Sequence, residues 1–182
     1  MTGRLFHFSD DPHIAEFVPR PVAVPSQRPA GMEWLNGPLV WAVSEERQAT
    51  YLLPRDCPRI HLWATARTTE ADHERWLGTG NATMVTYVES AWLDRIRDGI
   101  LHRYELPTEP FEDLEGGWTW VARQTVTPLR RDRLGDLPGE MAALGVELRI
   151  APKLTHLRDL WSTTTLHVSG IRLRNADGWD SP

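Results

Sequence analysis

Hydrophobic and polar residues follow two periods along the chain, that of strands and that of helices. Apolar residues recur among polar ones at residues 4–8 and again at 118–126, a pattern typical of strands with one buried face. Short apolar runs predict further strands at residues 39–43, 59–64, 100–106, 146–150 and 166–173. The second half of the chain is therefore expected to be rich in strands.

Helices are predicted where capping residues, glycine stops and a period near 3.6 coincide. Met84, Val88, Trp92 and Ile96 lie four apart, which predicts an amphipathic helix over residues 82–98 that stops at Gly99. Further helices are predicted at residues 45–53 after a Ser44 cap, at 70–77 after a Thr69 cap, at 136–144 and at 154–161, with one helical turn at 13–18.

The order of these elements indicates the fold class. Strands and helices alternate without a regular βαβ rhythm, and the chain has no internal repeat. Residues 19–38 contain five prolines and predict a long loop that packs through its apolar residues, and residues 107–117 predict an acidic loop. We therefore expect an α+β protein with a mixed or antiparallel sheet, and 182 residues fit a single domain, 1–182.

Composition and charge limit the expected classes of binding partner and the expected cellular location. Cys57 is the single cysteine, so an internal disulfide is excluded, and no apolar run reaches the roughly 20 residues that span a bilayer. The cytoplasm is the expected location, without a membrane anchor. A net charge of −5 argues against a broad phosphate-binding face, which favours a small molecule or a protein over nucleic acid as partner. The oligomeric state does not follow from the sequence.

Histidine near the end of the first strand is the first candidate for chemistry. His7 could orient a ligand or act as acid or base, and Ser9 stands beside it. It could equally be a hydrogen-bonded core residue. His7, Asp10, Asp11 and His13 could also be ligands of a metal in a hydrolase, although their spacing matches no established metal motif, and we predict no metal site.

Carboxylates in the acidic loop are the second candidate. Glu112, Asp113 and Glu115 follow a predicted strand, where ionised side chains could stabilise developing positive charge, or could be an ordinary solvated run. The nine tryptophans could provide stacking walls, although aromatic residues mostly fill cores. No nucleophile elbow surrounds Ser9 or Ser44, and nothing near Cys57 would activate a thiolate, so serine or cysteine hydrolase chemistry is not supported.

Several stretches, taken in order, resemble the rifampin ADP-ribosyltransferase type of the ADP-ribosyltransferase superfamily. Phe6-His7-Phe8-Ser9 is similar to its opening aromatic-His-Gly-Thr motif. Residues 39–43 with Ala49 and Tyr51 are similar to its second strand and short helix, with Trp41 where a tyrosine is expected. Residues 104–113 are similar to its strand and Glu-Pro-Thr-Gly-Pro-Phe-Glu-Asp-Asp run, and residues 121–130 are similar to its Tyr-Arg and Glu-Pro-Leu-Arg pieces.

The resemblance implies a fold, an activity and a set of roles. It covers residues 5–130 and implies a split, strongly bent β-sandwich with peripheral helices that clasps NAD+. His7, Ser9, Trp41 and Tyr51 would bind the cofactor. A carboxylate from Asp113, Glu112 or Glu115 would stabilise the ribosyl cation during ADP-ribosyl transfer to an unknown acceptor, or during NAD+ glycohydrolysis.

Two departures keep an alternative open. Leu114 stands where the family has its catalytic aspartate, and Trp41 stands where it has a tyrosine. The alternative is a catalytically inactive nucleotide-binding or ligand-binding domain of the same fold. The chain also resembles uncharacterised bacterial proteins that share its segments LFHFS (5–9) and IRLRNA (171–176), and no activity follows from that likeness.

Overall fold

The computed structural model describes residues 3–114 and 116–180, which form two compact units. The first unit contains the residues up to Gln48 together with Leu101–Arg133, and the second contains Ala49–Ile100 together with the residues from Leu134. The strands are β1 (Leu5–Ser9), β2 (Val40–Ser44), β3 (Arg59–Trp63), β4 (Met84–Glu89), β5 (Leu101–Leu106), β6 (Glu112–Asp113), β7 (Thr119–Ala122), β8 (Arg130–Leu134), β9 (Val146–Ala151) and β10 (His167–Ile171). The α-helices are α1 (Glu70–Trp76), α2 (Leu93–Arg97), α3 (Leu137–Ala143) and α4 (Leu160–Thr163).

The first unit contains a six-stranded sheet in the order β6-β7-β2-β1-β5-β8. Directly opposed residues of neighbouring strands share a face, and so do residues two apart on one strand. One face carries Leu5 of β1, Ala42 of β2 and Tyr104 of β5, and we call it the His7 face because His7 lies two residues from Leu5. Phe17 and Phe111 cover part of it and complete a hydrophobic core.

Tyr104 connects the His7 face to the segment of residues 11–17, which ends at Phe17. The buried phenol donates to the main-chain oxygen of Asp11 at 2.6 Å and accepts from the amide of Ile14 at 3.2 Å. We expect Tyr104→Phe to lower the free energy of unfolding by about 1–3 kcal/mol, because both backbone groups lose their partner. Urea unfolding monitored by circular dichroism measures this, and a loss under about 0.5 kcal/mol would contradict it.

The second unit contains a four-stranded sheet in the order β10-β3-β4-β9. β3 pairs antiparallel with β10 and β4, whereas β4 and β9 are parallel. Every residue of β3 is buried, and its Ile60 and Leu62 belong to a core cluster that Leu154 and Leu160 of the C-terminal segment complete. The chain is thus of the α+β class with two mostly antiparallel sheets, as predicted.

Most predicted elements are confirmed within a few residues. Thr69 caps α1, accepting from the amide of Asp72 at 3.3 Å, and Asp136 caps α3. The predicted loop 19–38 contains one 3-10 turn, Glu33–Asn36, whose Leu35 is buried. A 3-10 helix, Glu45–Tyr51, stands where the helix after Ser44 is expected. In the described part of the chain, no helix combines the length and apolar character that crossing a bilayer requires.

The helix predicted over residues 82–98 is wrong. Its first half is strand β4, and a 3-10 turn, Ser90–Trp92, and the short α2 follow. A spacing of four also satisfies the two-residue period of a strand, and β-branched residues such as Val85 and Thr86 favour extended structure. β4 lies inside its sheet with both faces covered, so its sequence lacks the alternation that would have revealed a strand.

Two further predicted helices also differ. Residues 154–161 form a 3-10 turn, Thr155–Leu157, followed by α4 instead of one helix. The turn expected at 13–18 is not helical, because the backbone of Phe17 exchanges hydrogen bonds of 2.8 and 3.0 Å with Val126. In both places tertiary contacts outweigh a weak local preference.

Candidate functional site

His7 lies where β1 and β2 stop pairing. Their register runs through Leu5↔Ser44 and Phe6↔Val43, and the next hydrogen-bonded pair of a regular ladder would join Phe8 to Trp41. Instead, Nδ1 of His7 lies 2.8 Å from the main-chain oxygen of Trp41. Because a carbonyl only accepts, Nδ1 carries a proton, which fixes one tautomer of the neutral ring. The half-buried imidazole also lies against Phe17, with ring centroids 4.7 Å apart.

Asp113 belongs to the same face of the sheet as His7. It stands opposite Trp120 of β7, and Trp120 stands opposite Ala42 of β2, so all three share the face that carries His7. β6 lies three strands from β1, which separates their backbones by about 14 Å. His7 and Asp113 are therefore too far apart to contact one ring, and the sheet between them carries the buried core residue Ala42.

The three candidate carboxylates are placed differently. Asp113 is exposed, and its Oδ1 accepts from the amide of Gly117 at 2.8 Å, which fixes the turn between β6 and β7. Glu112 stands opposite Val121 on the reverse face and forms an ion pair with Arg123 at 2.8 Å. Glu115 lies outside the described residues.

The cofactor candidates are also not all brought together. Ser9 shares the face of His7, is buried, and accepts from the amide of Asp11 at 3.1 Å. The side chain of Trp41 lies on the reverse face opposite Val121, where it packs against a cluster that includes Leu35. Tyr51 belongs to the second unit, where it is 40% exposed and lies 5.8 Å from the guanidinium of Arg59. His7 and Ser9 are thus joined on their face by Trp120 instead of Trp41.

Next to Ser9 lies a basic cluster that sequence reasoning missed. His102 stands directly opposite Ser9 on β5 and is buried, and no other described residue bonds its Nδ1. Burial lowers the pKa of His102, and the nearby charges of Arg131 and Arg133 lower it further. We call His13, His102, Arg131 and Arg133 the basic cluster; its positive charge comes from the two arginines, because the lowered pKa keeps His102 neutral at pH 7, and the carboxylate of Asp11 lies beside it. The alternating arginines of β8 were the available sequence signal.

At the opposite end of the His7 face, beyond Trp120, the first unit has a concavity of about 550 Å³. It is lined by Gly3, Leu5, Ser44, Glu45, Glu46, Gly117 and Trp120. Ser44 stands opposite Leu5, so its side chain projects from the same face as His7. The face thus carries a basic cluster at one end and an acidic, aromatic hollow at the other.

The alternative of a metal site at His7, Asp10, Asp11 and His13 is not supported by the part of the chain that the structure describes. There, no three histidine, cysteine, aspartate or glutamate side chains converge as a metal site would require. Asp11 instead uses its Oδ1 to accept from the amide of His13 at 2.8 Å, which shapes the turn after β1. His7, Asp10, Asp11 and His13 are therefore not assembled as a ligand set.

Comparison with known proteins identifies a family without assigning an activity. No curated protein matches the chain, and no solved structure matches it. Residues 6–176 match the model of a family of unknown function, DUF6886. That match extends from Phe6 past the last strand of the second sheet, over nearly all of the described residues. The chain therefore belongs to the DUF6886 family.

Proposed function

We propose that this protein binds NAD+ and transfers its ADP-ribosyl group to an acceptor, or to water in a glycohydrolase reaction. The observation that carries the proposal is the common face of His7 and Asp113, with Trp120 between them. These two residues come from the motifs that resemble the ADP-ribosyltransferases. β1 and β2 pair through Leu5↔Ser44 and Phe6↔Val43, and the His7 ring lies where this pairing ends.

Each part of the face has a role in the proposal. The imidazole of His7, fixed by the Trp41 carbonyl, orients the cofactor. The basic cluster attracts its two phosphates, since arginines recognise phosphate oxygens through paired hydrogen bonds. Trp120 provides an aromatic wall near Asp113, in the role that the sequence resemblance gives to Trp41.

The chemistry needs one carboxylate near the breaking bond. The bond between the ribose anomeric carbon and the nicotinamide nitrogen breaks, and nicotinamide leaves with the electron pair. The anomeric carbon then carries positive charge, which the Asp113 carboxylate stabilises. The acceptor or water forms the new bond to that carbon and releases a proton to solvent.

Release of free nicotinamide tests the proposal. The purified protein is incubated with NAD+, and nicotinamide and ADP-ribose are separated by liquid chromatography. We expect nicotinamide release above the uncatalysed rate, together with saturable NAD+ binding in calorimetry. If the protein releases no nicotinamide from NAD+, the proposed transfer is wrong.

His7 variants separate a binding role from a structural role. His7→Ala removes the donor to Trp41 and is expected to lower the free energy of unfolding by about 1–2 kcal/mol. His7→Asn places an amide donor near the position of Nδ1, so stability should largely return while NAD+ binding stays at least about tenfold weaker. Calorimetry and urea unfolding give the two values. Equal NAD+ affinity in His7→Asn and wild type would contradict a cofactor role.

A second candidate, a nucleotide-binding domain without turnover, is favoured by the position of Asp113. Its carboxylate is already hydrogen-bonded to the Gly117 amide, and Leu114 follows where the family has its catalytic aspartate. In that case, NAD+ would raise the melting temperature while nicotinamide release stayed at background. Turnover that depends on Asp113 would exclude this candidate.

A further inference from the structure

Trp120 forms one wall of the concavity, and hydrogen bonds hold its indole in place. Its Nε1 donates to the main-chain oxygen of Gly117 at 3.1 Å, and the Gly117 amide is bonded to Asp113. Gly116 and Gly117 have φ of 63° and 94°, a backbone region that glycine enters freely. The indole is therefore fixed before any ligand arrives, which favours a planar group that stacks.

Ser44 supplies a hydroxyl that needs a partner. The residue is 8% exposed and lines the concavity, and within residues 3–114 and 116–180 no group bonds its Oγ. Its amide is used in the sheet, donating to the oxygen of Trp118 at 3.0 Å. Buried hydroxyls are usually hydrogen-bonded, so a ligand that donates to Ser44 explains this unsatisfied oxygen.

Two carboxylates give the hollow its charge. Of the described residues that line it, Glu45 and Glu46 are charged and none is a cation. Hydrogen bonding to Arg4 lowers the pKa of Glu45, so this carboxylate is ionised at neutral pH. Glu46 pairs with Arg47 at 2.9 Å. The Glu46 side chain is 68% exposed, and exposed ion pairs are weak, so an incoming cation can compete with Arg47 for it. The Glu45 side chain is 42% exposed, with both oxygens bonded to Arg4, and it adds negative charge to the hollow.

We infer that this concavity binds a guanidinium group, which is the acceptor of the ADP-ribosyl unit. A guanidinium is planar, stacks on indole and presents a fork of donors to carboxylates and a hydroxyl, whereas an ammonium group is a compact, strongly hydrated charge. The acceptor role rests on the proposed function. There, a guanidinium nitrogen forms a bond to the anomeric carbon, nicotinamide leaves with the electron pair, and the nitrogen loses a proton to solvent.

Binding of three matched probes without NAD+ tests the site by itself. N-acetyl-arginine amide, its neutral citrulline analogue and N-acetyl-lysine amide are titrated into the full chain by NMR. We expect saturable binding of the arginine probe and at least tenfold weaker binding of the other two. Ser44→Ala and Trp120→Leu should each weaken arginine binding severalfold. Trp34→Leu is the control, because Trp34 packs with the cluster on the reverse face.

The outcomes separate this inference from the proposed function. Absence of saturable arginine binding, or unchanged affinity in both Ser44→Ala and Trp120→Leu, would overturn the guanidinium site even if nicotinamide is released from NAD+. Arginine binding that needs Ser44, without nicotinamide release, would leave the site standing and overturn the proposed function. Mass spectrometry of the arginine probe after incubation with NAD+ then tests the acceptor role, and an unmodified probe in the presence of turnover would refute it.

Discussion

Asp113→Asn is expected to lower the rate of nicotinamide release by about 10²–10³-fold, the usual effect of removing one group that stabilises transition-state charge. Glu112→Gln should leave the rate near that of the wild type. The two carboxylates are neighbours in sequence, but β6 directs Asp113 to the His7 face and Glu112 to the reverse face. Initial rates at saturating NAD+ measure both effects.

Neither Asp113→Asn nor Glu112→Gln should disturb the fold, so a difference in their rates can be assigned to the reaction. The side-chain oxygen of Asn can still accept from the Gly117 amide, so the β6–β7 turn should persist in Asp113→Asn. Equal melting temperatures of both variants and wild type establish this. A fully active Asp113→Asn, or an equally inactive Glu112→Gln, would remove Asp113 from the reaction and leave the carboxylate role open.

Acid should destabilise the second unit through His61. This side chain is completely buried in β3, with Nδ1 2.8 Å from the Thr86 hydroxyl, and burial, followed by the charge of Arg59, lowers its pKa from 6.5 to about 3. The unfolded chain therefore binds a proton between about pH 6.5 and 3 that the folded chain does not bind. Over that window, the free energy of unfolding should fall by up to about 1.4 kcal/mol per pH unit.

The variant His61→Gln isolates this contribution. Glutamine does not titrate, and every other ionisable group is retained, so the variant should lose less stability than the wild type as the pH falls from 6.5 to 4. Urea unfolding at intermediate pH values measures both slopes. Parallel slopes would show that His61 does not cause the acid sensitivity.

Elements with local signals could be predicted from the sequence, whereas packing decided the others. The Thr69 cap marked the start of α1, and the pattern of apolar residues marked β1 and β2. β4 was predicted as helix because both of its faces are covered. The α+β class followed from the order of elements, since strands such as β1, β2 and β5 were identified.

The candidate site was only partly visible in the sequence, for a different reason. His7 and Asp113 stand in recognisable motifs, but the face that each residue occupies depends on the register of strands far apart in the chain. Register placed Trp41 on the reverse face and Trp120 on the His7 face. The alternating arginines of β8 were visible, but their position beside Ser9 and His102 was not, because those two residues meet only when β1 pairs with β5. Such long-range pairs leave no local period.

Each of the two units is built from two separate stretches of the chain, which affects folding during synthesis. β1 lies between β2 and β5, but β5 is synthesised only after the entire Ala49–Ile100 segment of the second unit. During translation, one edge of β1 therefore stays unpaired until β5 is synthesised, and the second sheet is still incomplete. Unpaired strand edges of this kind are prone to aggregation. A single truncation cannot yield either unit intact. Chaperone supply and slow translation should therefore influence the yield of folded protein.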